Sequence, residues 1–218
     1  ISPRRAPHRA GCTVVLATVR PPRGMRMILQ ALDLTGPTIN YNGAVIWNPV
    51  EDKPQFHEPL PPEAARQIIA DVGGLHRDLI INLEVLDRWY ADRIDPRFFP
   101  EEGPLSQPDY VGPLDQFLQA PVTKINVLGL PEHIEPALEL VRERYWRPRN
   151  VAVFLTDPRL IQITHPMVDK GIALQRIARR MNLHREEVMA IGDAPNDMGM
   201  IEWAGFGVAV ENAYPTVK

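Results

Sequence analysis

The sequence predicts an α/β fold in which a parallel core is interrupted by an inserted α+β module. Three observations carry this prediction. Short apolar, β-branched runs alternate with helical stripes near both ends of the chain, as a parallel α/β unit requires. The middle lacks that alternation and strings strand-like runs and isolated helices around a Pro-, Asp- and Gly-rich stretch at 92–115. The length of 218 residues, 44% of them hydrophobic, fits one large domain or two small ones with a sizeable core.

The elements follow in order. Residues 13–18, TVVLAT, read as a buried strand. RGMRMILQALDL then brings Met27, Leu29 or Gln30, Ala31 and Leu34 close to a helical stripe. Pro37–Tyr41 reads as a second strand, Asn42-Gly43 as a turn, and Ala44-Val45-Ile46 as a third strand. Residues 61–72 form a predicted helix opened by Pro61-Pro62, with Ala65, Ile68, Ile69 and Val72 apolar, and 78–86 read as a strand. VTKINVL at 122–128 alternates in the manner of a half-buried strand. EHIEPALELVRERY places Ile134, Leu138, Val141 and Tyr145 at helical spacing, with Pro136 expected in the tolerant first turn. NVAVFLT and LIQIT read as two strands about an Asp157-Pro158 turn. The α/β pattern resumes with DKGIALQRIARRMNL, whose Leu174, Ile177, Ala178 and Met181 share a face. A buried strand at 187–191, a helix started by Pro195 and a last strand at 205–210 complete the reading. The domain boundaries read as 1–46 and 166–218 for the core, with 47–165 inserted.

Composition narrows the function. A net charge of −3 with mixed signs and no basic block disfavours a nucleic-acid partner. No apolar run reaches the roughly 18 residues of a spanning helix, so no membrane partner is expected. No signal peptide is visible, and the chain opens at Ile1 rather than Met. A cytoplasmic protein is the expectation. Cys12 lies in the apolar run GCTVVLA and is expected to be a buried, inert thiol. The 23 prolines are spread along the chain and punctuate loops. The six histidines show no metal-ligand spacing, and His165 and His184 read as loop residues. Trp89-Tyr90 and Phe98-Phe99 read as core packing or as the lining of a substrate pocket.

In open parallel sheets, ligands gather at the carboxyl ends of strands. Thr18, Asn42 and Asp193 stand at such ends, and Lys170 opens a helix. The group offers a hydroxyl, an amide, an ammonium and carboxylates to one crevice. A hard cation such as Mg²⁺ takes one or two carboxylates and a phosphate, and a lysine serves that phosphate as a point charge. The set suits phosphoryl transfer, where positioning and charge neutralisation dominate. Asp193, Asn196 and Asp197 also suit plain helix capping. Lys170 suits a solvated helix start, and Asn42-Gly43 a bare turn.

Gly192-Asp193-Ala194-Pro195-Asn196-Asp197-Met198-Gly199-Met200 resembles the G-D-x-x-N-D-x-x-M motif of the haloacid dehalogenase-like phosphatases, most closely their Cof-type group. Asp169-Lys170-Gly171 resembles the group's third motif, Leu16–Pro21 its second, and Tyr41–Ala44 its Asn-Gly turn leading to a cap. The resemblance covers nearly the whole chain and is tightest over 169–212. It implies a Rossmann-like, doubly wound core with an inserted α+β cap. It also implies an enzyme, a Mg²⁺-dependent phosphatase of small phosphorylated metabolites such as sugar phosphates, working through an aspartyl-phosphate. Asp193 would bind Mg²⁺, with Asp197 a second acidic residue at the metal. Asn196 would orient the phosphate or the loop, with Asn42 and Gly43 beside it. Lys170 would neutralise the phosphoryl group and the nucleophile. Thr18 would bind a phosphate oxygen with help from the Val19 N–H.

Two departures stand out. The family's first motif, Asp-x-Asp-Gly-Thr, which supplies the nucleophile and the general acid/base, is not in the chain and is expected upstream of Ile1. Val19 replaces the glycine of the second motif, and a β-branched residue restricts the backbone there. They leave an alternative reading, a non-catalytic module of the same fold that binds metal and phosphate.

Overall fold

A computed structural model describes residues 11–99, 107–146 and 151–218. The chain divides into two compact units. One joins the described residues up to His57 with Val168–Lys218, and the other is Glu58–Met167.

In the first unit, strand β1 (Leu16–Ala17) runs parallel to β2 (Thr38–Asn40), with Leu16 opposite Thr38. Between them a 3-10 turn at Pro22–Met25 leads into helix α1 (Arg26–Leu32), which ends on Asp33 in the left-handed region. The apolar stretch at 13–18 thus pairs over two residues only. It is half-buried rather than buried, and Cys12 ahead of it is exposed, because the sheet has not yet begun there.

A tight turn at Tyr41–Gly43 reverses the chain, so β3 (Val45–Asn48) is antiparallel to β2 and β4 (Lys53–His57) antiparallel to β3. The β4 strand was not legible in KPQFH, whose Lys53 and Pro54 disguise a strand. This hairpin keeps the first unit running to His57. The part after the insertion holds helix α4 (Lys170–Arg180), β11 (Met189–Gly192), helix α5 (Met198–Trp203) and β12 (Phe206–Ala209), with β11 and β12 parallel. Ile39, Ile46, Ala173, Leu174, Ile177, Ala190 and Met200 form its core. Strand β11 buries Ala190 and Gly192 and leaves Met189 and Ile191 more than half exposed, as is Phe206 opposite Met189. One face of this strand pair is therefore apolar and open, where a fully buried strand was expected.

The second unit is a six-stranded sheet in the order β7-β6-β5-β8-β10-β9. Its strands are β5 (Ile80–Val85), β6 (Arg88–Ala91), β7 (Tyr110–Val111), β8 (Lys124–Leu128), β9 (Ala152–Asp157) and β10 (Leu160–Thr164). Helices α2 (Pro62–Gly73) and α3 (Pro131–Val141) supply Ala65, Ile68, Val72, Ile134 and Leu138 to the same core as Ile81, Leu83, Ile125, Val127 and Ile161. The alternation of polar and apolar residues along β5, β8 and β10 gives the sheet one apolar face for these helices. Helix α3 begins at Pro131, so Pro136 lies beyond the first turn. The carbonyl it leaves without an intrahelical donor belongs to Glu132, an exposed residue. Trp89 stacks on Phe99 at 5.5 Å and Tyr90 on Phe117 at 4.1 Å, so these aromatics pack on one another.

Candidate active site

The site begins with glycines that let backbone elements touch. A Cβ at Gly171 would lie 2.3 Å from the Gly199 carbonyl, and one at Gly199 2.7 Å from Asp169 Oδ1. Only glycine at these positions lets the starts of α4 and α5 meet at that distance. Asp169 caps α4 by accepting from the Ile172 N–H at 3.0 Å. That cap sets Lys170 at the first helical position, with its side chain buried.

Lys170 Nζ donates to Asp197 Oδ1 at 2.6 Å, and both side chains are only 6% exposed. The other oxygen of Asp197 accepts from the N–H groups of Asp193 (3.0 Å) and Ala194 (3.1 Å). Burial would raise the Asp197 carboxyl pKa. The Lys170 hydrogen bond and the two backbone donors outweigh it and hold the pKa below the usual carboxylate range. A carboxylate offers about four lone-pair positions. Three are taken here, which leaves Asp197 one on Oδ1. Asp197 therefore ties the 193–197 loop to Lys170, a task the motif's spacing alone does not disclose.

Asp193 differs. It is exposed at the end of β11, and among the described residues no hydrogen bond or ion pair engages its carboxylate. Pro195 opens a 3-10 turn that leads into α5, and it brings Asn196 Nδ2 to Asn42 Oδ1 at 2.9 Å. Tyr41, Asn42 and Gly43 all adopt positive φ. A Cβ at Gly43 would lie 2.3 Å from the Asp169 carbonyl oxygen, so the Asn-Gly turn seats directly on the helix cap.

The Asn42 N–H also donates to the Thr18 carbonyl at 3.0 Å. The Thr18 hydroxyl accepts from the Arg20 N–H at 3.1 Å, in the tight turn after β1, and Val19 is 47% exposed. The structure thus joins Thr18, Asn42, Gly43, Asn196, Asp197, Asp193 and Lys170 in one continuous network. It adds residues that the sequence reading missed. Buried Thr38 donates to Asn40 Oδ1 at 2.7 Å, and Asn40 Nδ2 holds the Arg20 carbonyl at 3.2 Å. Asn40 is fully buried, and a polar residue within a strand-like run was the signal that the sequence offered.

Asp193 and the remaining position on Asp197 offer only oxygen donors, the chemistry that a hard divalent cation takes. Lys170 brings positive charge beside Asp197. Such an arrangement can neutralise a phosphoryl group and hold it still.

The family model described as haloacid dehalogenase-like hydrolase matches residues 5–218. The chain is 29% identical over 219 residues to 5-amino-6-(5-phospho-D-ribitylamino)uracil phosphatase YitU of Bacillus subtilis, covering 95% of this chain and 77% of that protein. It is also 29% identical to the putative phosphatase YxeH of the same organism, covering 98% and 81%. Among solved structures, TM0651 from Thermotoga maritima superposes with a TM-score of 0.83 at 30% identity, covering 98% of this chain and 80% of that one. The motif residues, their joining into one network and the likeness along nearly the full length agree: the chain belongs to the haloacid dehalogenase-like hydrolase family, among its Cof-type phosphatases.

Proposed function

We propose that this chain is the greater part of a Mg²⁺-dependent phosphatase that hydrolyses small phosphate monoesters, sugar phosphates or related metabolites, through an aspartyl-phosphate. The observation that carries the reading is the buried Lys170–Asp197 pair at 2.6 Å in the same loop as the Asp193 carboxylate, which no partner engages among the described residues. Asp193 would hold Mg²⁺, with Asp197 supporting it directly or through water. Bound there, Mg²⁺ withdraws charge from the phosphoryl oxygens. Lys170 neutralises the phosphoryl group and the attacking carboxylate. Thr18 and the Val19 N–H orient a phosphate oxygen. Asn196, braced by Asn42, keeps the loop in place. The attacking aspartate comes from the family's first motif, which the 218 residues do not contain. The inserted unit acts as a cap that excludes water and decides which leaving group is accepted. The likeness to the ribitylaminouracil phosphatase makes its phosphate ester one member of a panel worth testing.

The test is phosphate release by the full-length gene product from a panel of monoesters, with and without Mg²⁺. Release that needs Mg²⁺ and falls at least about a hundredfold in Asp193→Asn supports the reading. No release from any member, with phosphate still bound, would favour the non-catalytic binding module.

A further inference from the structure

A second cluster of metal-ligating side chains lies in the inserted unit, on residues that the phosphatase site does not use. Helix α2 ends at Gly73, and the loop that follows carries His76 and Asp78 just before β5 begins at Ile80. His133 stands in the first turn of α3. The fold brings the three together: one ligand atom from each lies within 4.8 Å of the others. All three are partly buried, and the sheltered Nδ1 of His133 has no hydrogen-bond partner. The two imidazoles stack at 3.6 Å between centroids, and Asp78 Oδ2 stands 3.9 Å from His76 Nδ1. The histidines carry no ligand spacing in the sequence because the third member comes from a distant helix.

We propose that His76, Asp78 and His133 form a binding site for a zinc-class divalent ion, separate from the all-oxygen site at Asp193. Two imidazoles and one carboxylate suit Zn²⁺ or Co²⁺, whereas Mg²⁺ and Ca²⁺ prefer oxygen throughout. Zinc bonds of about 2.0–2.2 Å put tetrahedral ligand atoms roughly 3.3–3.5 Å apart. The Asp78–His76 separation therefore has to close by about half an ångström. Nitrogen lone pairs of stacked rings run side by side, so the imidazoles must leave the stack and turn toward a common point. The Asp78 N–H, which now donates to His76 Nδ1 at 3.2 Å, turns to water. Three protein ligands leave a fourth position for water. The ion pins the α2–β5 loop to the start of α3, so its effect falls on the stability of the inserted unit.

The experiment titrates Co²⁺ into the metal-stripped full-length protein in excess Mg²⁺, following the visible absorption of four-coordinate cobalt. Expected are bands that saturate at one equivalent, persist in Asp193→Asn, and are lost in His76→Gln and in His133→Gln. Zn²⁺ should displace the cobalt and raise Tm in the wild type but in neither histidine variant. If one variant fails to fold, the other decides, and circular dichroism without metal reports folding. Absence of four-coordinate bands at several-fold excess Co²⁺, or bands unchanged in a folded histidine variant, overturns the site. Retention of the bands in Asp193→Asn separates this result from the fate of the phosphatase reading.

Discussion

Lys170 shows how one buried ion pair shapes a site. Breaking a buried pair by removing one partner leaves an uncompensated charge, which costs far more than losing a surface pair. Lys170→Ala would therefore confuse catalysis with stability. Lys170→Gln is the cleaner change, because its amide can still donate to Asp197 while carrying no charge. Steady-state kinetics on the full-length enzyme should show kcat lower by about 10²–10³-fold, with KM changed far less. The two aspartates of the loop divide their work: Asp197 faces inward to Lys170 and two backbone donors, and Asp193 faces water. The G-D-x-x-N-D spacing marks both as important, but only the hydrogen bonds distinguish them.

At the scale of elements, the contact between α4 and α5 depends on the absence of side chains. Gly171→Ala drives a Cβ to 2.3 Å from backbone. It should lower stability by about 1–3 kcal/mol, measured by urea unfolding. Gly73 at the end of α2 makes the useful contrast, since an added Cβ meets only Ile81 Cδ1 at 3.7 Å. Gly73→Ala should raise stability by about 0.4–1 kcal/mol by restricting the unfolded chain. Strand β4 carries a pH dependence. Burial lowers the His57 pKa from 6.5 to about 4. The unfolded chain then takes up the proton first, so this contribution to stability is intact above pH 6.5 and declines as pH falls from 6.5 toward 4. His57→Gln should flatten the stability profile in that window, as read from urea midpoints at pH 7 and pH 5.

Over the whole molecule, the two units carry separate cores. Ile39 and Ile161 are both fully buried, in clusters that share no residue. Ile39→Val and Ile161→Val should each cost about 0.5–1.5 kcal/mol. In the double variant the costs should add to within about 0.5 kcal/mol, because neither cavity has a neighbour in common with the other. The parallel alternation near both ends and the strand-rich middle suggested a division at 46/47 and 165/166, whereas the compact units part after His57 and after Met167, because the β3–β4 hairpin stays with the first unit. The open face of Met189, Ile191 and Phe206 was not legible, because an apolar strand has the same pattern whether or not another element covers it.

By itself the sequence determined the fold class, the helices opened by Pro62 and by Asp169, and which residues to propose for the metal and phosphate site. These follow from local periodicity, capping chemistry and a motif confined to a few consecutive positions. The tertiary structure alone decided that β2 turns back on β3, that Asn196 meets Asn42 across 154 positions, and that Asp197 meets Lys170 across 27. It also gathered His76, Asp78 and His133. Such pairings depend on which backbones approach closely enough to touch, and the glycines at 43, 171 and 199 permit that approach without naming the partner.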